Sequence, residues 1–251
     1  MSLIDHCLVP DWPAPKNVRS LQTTRVGGVS VAPYDSLNLS SNVGDLPLSV
    51  ERNRMLLEPL LPSEPIWLKQ VHGVTVADAT DAGCWPEADA CVSSHPGAVC
   101  VVMTADCLPV LLCDDRGSVV GAVHAGWRGL CDGVIEHAVS AMGVAPGTLM
   151  AWLGPAIGVT AFEVGLDVRA EFIARDPKTM AAFVPHAPNK WRADIYQLAR
   201  LRLAGLGVGR VYGGGLCTHT DRARFFSYRR DNVTGRTGTL IWLDAPPNNL
   251  R

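Results

Sequence analysis

The stretch from Ala98 to His124 constrains the fold most. Three apolar, β-branched runs, Ala98–Thr104, Pro109–Cys113 and Val119–His124, follow one another with only a few residues between them. Runs of this length and character suit buried strands of one sheet, and Pro65–Val71 reads the same way. Around this centre the pattern predicts a helix over Ser49–Leu57 opened by a serine cap, and a second over Leu130–Met142 after the Gly126–Gly129 turn. A strand over Leu149–Leu153, helices over Val168–Arg175 and Asp194–Leu206, and late strands over Arg210–Tyr212 and Thr239–Leu243 complete the reading. Strands interleaved with only a few helices predict an α/β (α+β) sandwich rather than a doubly wound sheet. With no repeat, linker or low-complexity tract, residues 1–251 are expected to form one domain with mixed sheets flanked by helices.

Charge and hydropathy narrow the function classes. Lys+Arg number 22 against 24 Asp+Glu, and charged residues make up only 18% of the chain, so neither a disordered tail nor a polycationic nucleic-acid reader is expected. Met1–Pro13 has no basic region followed by an apolar core, and the longest apolar stretch is broken by Thr104, Asp106 and Pro109. A cytoplasmic protein without a membrane span is therefore expected. The eight cysteines sit mostly inside apolar runs, Cys84 among them, and are expected as free thiols or metal ligands rather than disulfides.

Three soft ligands stand at or just past the ends of predicted strands: His72, Cys107 and His124. Their separations of 35 and 17 residues are too long for a zinc-finger hairpin and natural for three neighbouring strands meeting at one place. Two imidazoles and one thiolate would form a three-ligand zinc site with its fourth position open, the arrangement of catalytic zinc. The same atoms also allow Cys107 as a nucleophile activated by His124 or His72, with Asp106 orienting an imidazole. A buried thiol among hydrogen-bonded histidines is the plainest alternative. Cys217 and His219 make a second pair with no partner nearby in sequence.

Anion recognition is the second theme. Arg222, Arg224, Arg229, Arg230 and Arg236 fall within fifteen residues, interleaved with Phe225, Phe226 and Tyr228. Such a stretch can stack an aromatic base and hold a phosphate, or it can be a solvated edge pairing with Asp221 and Asp231. Arg25 beside Gly27-Gly28 has the same ambiguity.

Taken together, Lys-Gln-Val-His72-Gly, Ala-Asp-Cys107-Leu-Pro, His124-Ala-Gly-Trp-Arg-Gly, Gly154-Pro-Ala-Ile-Gly and Phe226-Ser-Tyr-Arg-Arg-Asp231 with Thr234-Gly-Arg resemble the YfiH-like family. The likeness runs from about Thr23 to about Leu243. It implies a cysteine-hydrolase-like fold and a zinc held by His72, Cys107 and His124, with copper as an alternative occupant. It also implies phosphate-dependent cleavage of adenosine, inosine and methylthioadenosine, adenosine deamination, copper-dependent oxidation of phenols, or removal of a misincorporated serine from a peptidoglycan precursor. A multicopper cluster needs His-x-His pairs, and the seven histidines include none. Purine nucleosides and phosphate are thus the expected partners. Cys107, His124 and Asp106 are the expected catalytic groups, and Arg25, Asn38 and Arg229 the expected substrate-binding ones.

Overall fold

The computed structural model describes residues 2–80 and 85–245, so the expectation for Cys84 lies outside the described residues. In chain order the elements are β1 (Val18–Gln22), α1 (Pro47–Met55), β2 (Val76–Asp78), β3 (Ala90–Ser93), β4 (Cys100–Thr104), β5 (Leu108–Asp114) and β6 (Val120–Ala125). There follow α2 (Trp127–Asp132), α3 (Val134–Ala141), β7 (Leu149–Leu153), β8 (Glu163–Gly165), α4 (Leu166–Arg175), β9 (Phe183–Ala187) and β10 (Lys190–Ala193). The chain ends with α5 (Ile195–Gly205), β11 (Arg210–Gly213), α6 (Tyr228–Asp231) and β12 (Thr237–Leu243). A six-stranded sheet, β11-β7-β5-β6-β3-β2, faces a three-stranded one, β1-β12-β4, and β8-β10-β9 form a separate small sheet. The large sheet is mixed, with β11 parallel to β7 and β2 parallel to β3, and its other neighbours antiparallel. The expected α/β sandwich with mixed sheets is what forms.

Every position of β4, β5, β6 and β12 is buried, because each strand is covered on both faces. The period of two divides the side chains between two cores. Leu108, Val110 and Leu112 pack toward Leu130, Ile135 and Leu198 of the helices, whereas Leu111 and Cys113 join Cys100, Val102 and Ile241 between the sheets. A third core, with Leu37, Leu39 and Trp67, covers the outer face of the three-stranded sheet. All seven described cysteines are free thiols.

Three expectations are corrected. The helix over Leu130–Met142 is two helices, because Gly133 sits at φ 103°, a left-handed conformation that caps α2 and starts α3. Pro47, and not a serine cap, opens α1 from its first position. Pro65–Val71 is not a strand, for it touches its neighbours only through isolated bridges at Ile66 and Lys69. The Gln70 side chain replaces the ladder there, donating to Met103 O at 2.8 Å and accepting from Met103 N at 2.8 Å. The backbone is thereby free to peel away and form the loop that carries His72.

The loops covering the three-stranded sheet depend on Asn53 of α1, which is fully buried. Its Nδ2 donates to Ser30 Oγ and Asn38 O, both at 2.8 Å, and its Oδ1 accepts from Val29 N at 2.8 Å. Replacing it with alanine strands these partners out of reach of water. The Asn53→Ala protein is expected to lose about 2–4 kcal/mol of stability, read as a lower urea midpoint with an unchanged slope.

A candidate metal centre between two cavities

Local backbone geometry brings the three soft ligands together. Cys107 lies in the tight connection between β4 and β5, where Asp106 adopts φ 90°. His124 is near the end of β6, and His72, at φ 62°, is on the loop released by Gln70. Their ligand atoms all lie within 4.8 Å of one another, with Cys107 Sγ 3.7 Å from His72 Nε2. The two imidazole rings meet edge to face, 4.8 Å between centroids.

Asp89, a residue the sequence reading missed, organises this cluster. It is completely buried, yet both carboxylate oxygens are occupied. Oδ1 accepts from His124 Nδ1 at 2.7 Å and His72 N at 2.9 Å, and Oδ2 accepts from Gly73 N at 2.6 Å and Val71 N at 3.2 Å. Three successive backbone donors converging on one anion impose the left-handed turn at His72. The Nδ1 contact leaves His124 Nε2 to face the cluster, as a carboxylate-oriented ligand histidine does. An acid set between Ala88 and Ala90 at the start of an apolar strand was the available signal.

Burial disfavours the Cys107 thiolate, but the charge and hydrogen bonds of His124 and His72 outweigh it and bring the thiol down to about 6. Burial likewise opposes a charged His124, and Cys107 together with Asp89 raises it to about 9. Asp89 itself is held below the usual carboxylate range, since hydrogen bonds from His124, Gly73 and Val71 overcome the cost of its burial. A thiolate and two imidazoles form a donor set that fits a single transition-metal ion. The space for it is kept open by Gly126, where a Cβ would stand 2.7 Å from His72 Cδ2 and 3.1 Å from Cys107 Sγ. Among the described residues this is the one group of three donors, which does not furnish a multicopper cluster.

Two cavities meet at the cluster and share His72, Ala105, Cys107 and Tyr228 in their walls. The larger, about 400 Å³, adds Ser40, Asn42, Leu68, Met103, His124 and Arg236. The smaller, about 250 Å³, adds Trp127, Arg128, Ile157, Phe162, Ile195 and Arg229. Of the three expected substrate-binding residues, Arg229 lines the smaller cavity, and Arg25 and Asn38 line neither. Arg25 is bound to Asp35, through both its backbone carbonyl and its carboxylate, and lies over the Phe226 ring. Asn38 spends its amide on Ser40, Asp45 and the backbone N–H of Arg236. Asp106 lines the smaller cavity, but its carboxylate accepts from Thr218 Oγ1, Ser227 Oγ and Arg229 N at 2.6, 3.0 and 2.6 Å. It therefore anchors the segment carrying α6, and the imidazole-orienting role expected of it belongs to Asp89.

The carboxylate's role can be tested separately from the ligands. Asp89→Asn keeps the shape but loses the charge that fixes the His124 tautomer. It is expected to weaken metal affinity about 10–100-fold, measured by chelator competition, with the fold retained.

The family model described as multi-copper polyphenol oxidoreductase laccase matches residues 19–244. The purine nucleoside phosphorylase YfiH of Shigella flexneri is 55% identical over 94% of this chain and 98% of that one. A purine nucleoside phosphorylase of Haemophilus influenzae is 48% identical with the same coverage. The crystal structure of Neisseria meningitidis protein NMB0706 superposes with a TM-score of 0.93 at 51% identity, covering 96% of this chain and all of that one. By its motifs, its fold and this extent of identity, the chain belongs to the YfiH-like family, whose model carries the multi-copper polyphenol oxidoreductase laccase description.

Proposed function

We propose that the chain is a zinc-dependent purine nucleoside phosphorylase acting on adenosine, inosine and methylthioadenosine. The observation that carries this reading is the pair of cavities on either side of one shared wall, the smaller bearing two arginines whose guanidinium groups make no ion pair among the described residues. Displacement at the anomeric carbon needs a nucleophile on one face of the sugar and a leaving base on the other, with the sugar held between. The names of the relatives support the same activity.

In this reading phosphate occupies the smaller cavity. Arg128 lies over the Trp127 ring at 4.5 Å and Arg229 over Phe162 at 5.7 Å, so each planar guanidinium rests on an aromatic platform. Arg229 Nη1 is tied to Glu163 O at 2.9 Å, while among the described residues the Arg128 guanidinium has no hydrogen-bond or ion-pair partner. Forked donors of this kind match a phosphate dianion. The larger cavity takes the purine between Leu68 and Met103, with Ser40 and Asn42 at its polar edge. His72, Cys107 and His124 would hold the zinc, and the ion would supply Lewis-acid polarisation there. Tyr228, 56% exposed, stands where the two cavities join and positions the ribose. Asp106, the one carboxylate in the lining of the two cavities, is bound by three donors of the chain as the anchor of α6, so adenosine deamination, which needs an acid/base group to move a proton, is left out of the proposed activity.

The pairing of Cys107 with His124 supports one rival, hydrolysis of an amide in a serine-containing muramyl precursor with Cys107 as nucleophile. Iodoacetamide separates the two: a ligand thiolate is labelled slowly in the metal-loaded protein and quickly after chelation. Rapid labelling of the loaded protein would favour the hydrolase.

Inosine is expected to release hypoxanthine only when phosphate is supplied, and Arg229→Lys to raise the phosphate KM about tenfold through loss of the forked contact. Equal base release without phosphate, followed by chromatography, would mean hydrolysis and overturn the proposal.

A further inference from the structure

Arg236 is the one arginine or lysine in the lining of the larger cavity, and the phosphate site does not account for it. It is half-buried on the last segment before β12, and the cavity that it lines with His72, Cys107 and His124 contains no carboxylate. Nη1 donates to Thr234 O at 2.9 Å and Gly235 O at 3.0 Å, and the backbone N–H donates to Asn38 Oδ1 at 2.9 Å. The guanidinium lies 5.9 Å from the centre of the Tyr228 ring. Its orientation is therefore set by the protein, while Nε and Nη2 make no hydrogen bond to any described residue, and no ion pair among the described residues neutralises it. Burial works against this charge and lowers the Arg236 pKa, with Cys107 and Asp106 acting in the opposite sense. A cation kept in a cavity wall against that cost, with Nε and Nη2 unbonded among the described residues, is suited to an anion that forms beside it.

An arginine cannot favour the oxocarbenium-like sugar, whose charge has the same sign. Negative charge develops instead on the purine, because the C1′–N9 bond breaks with both electrons passing to the base, where they spread over the ring nitrogens and the 6-substituent. We propose that Arg236 is a catalytic residue that stabilises the departing purine anion by donating from its free edge to the base. This rests on the phosphorolysis reading and assigns a new part within it. The balance is simple: an oxygen of hydrogen phosphate forms the bond to C1′ as N9 leaves, and the proton of hydrogen phosphate ends on the released base. Arg128 and Arg229 hold the nucleophile on one side and Arg236 receives the leaving group on the other, so the two charges of the reaction are met in different cavities. Asn38, fully buried and bonded to the Arg236 backbone, is a positioning residue for that side chain.

The test compares inosine with 7-methylinosine, whose base already carries a positive charge and departs without becoming an anion. Arg236→Gln is expected to lower kcat on inosine about 100-fold, the cost of one preorganised donor at a developing charge, and on 7-methylinosine less than threefold. Arg236→Lys, which keeps the charge and loses the fork, should show the same substrate dependence at about tenfold, and it carries the comparison if the glutamine variant does not fold. The phosphate KM should stay unchanged in both. Equal losses on the two substrates would assign Arg236 a structural role and overturn the inference. A raised phosphate KM would place Arg236 in the phosphate site and overturn it equally. If the wild-type protein cleaves neither nucleoside, the phosphorolysis reading falls as well, whereas the first two outcomes leave that reading standing.

Discussion

The buried carboxylate of Asp89 is the contact on which the rest of the site depends. A charge without access to water is costly, and here four donors offset that cost: three successive backbone N–H groups and the Nδ1–H of His124. Those donors come from the loop at His72 and from β6, so satisfying one anion also draws together two ligands that lie 52 residues apart in sequence. The third, Cys107, is delivered by the connection between β4 and β5 and is fixed by the sheet register. Ligand geometry is thus a consequence of local polar satisfaction, and the soft-donor cluster is preorganised by groups that never touch a metal.

A second buried carboxylate plays a comparable part on the other side. Asp106 gathers Thr218, Ser227 and the start of α6, and thereby suspends Tyr228 and Arg229 over the site. The two acids divide the work: Asp89 shapes the floor and Asp106 holds the roof. Asp89 accepts four hydrogen bonds and Asp106 three, all from groups of the protein itself. Separating Arg128 and Arg229 from Arg236 across a shared wall gives the cleft polarity along its length, suited to a substitution in which one anion enters and another leaves.

The laccase description of the family model and the donor inventory of this chain point in different directions. A cluster of several coppers requires many histidine ligands, whereas the described residues converge three donors at one point. Relatives of about half identity carry a nucleoside phosphorylase name instead, and the two-cavity cleft is compatible with that chemistry. Copper bound to an N/S site of this kind would follow from its general affinity order, without any further ligand.

How much was legible in the sequence differs by element. The buried strands β4 to β7 and β12 carry their burial in their composition, because a strand covered on both faces is apolar at most of its positions. The soft ligands were legible from residue type and from placement at strand ends, and the family motifs named the same three. Pro65–Val71 misled because its apolar residues are buried without a ladder, a state that composition cannot distinguish from a strand. Asp89 escaped because an acid is ordinarily read as solvated, and its four donors exist only once β6 lies beside the loop. Arg25 and Arg236 are equivalent by residue type, and only packing put Asp35 and Phe226 against the first while placing the second in the cavity wall without an ion pair among the described residues. The sequence alone therefore determined which segments are buried and which atoms can ligate, since those follow from side-chain chemistry. The tertiary structure decided which charges are compensated and which remain available, because compensation is a matter of neighbours brought from distant parts of the chain.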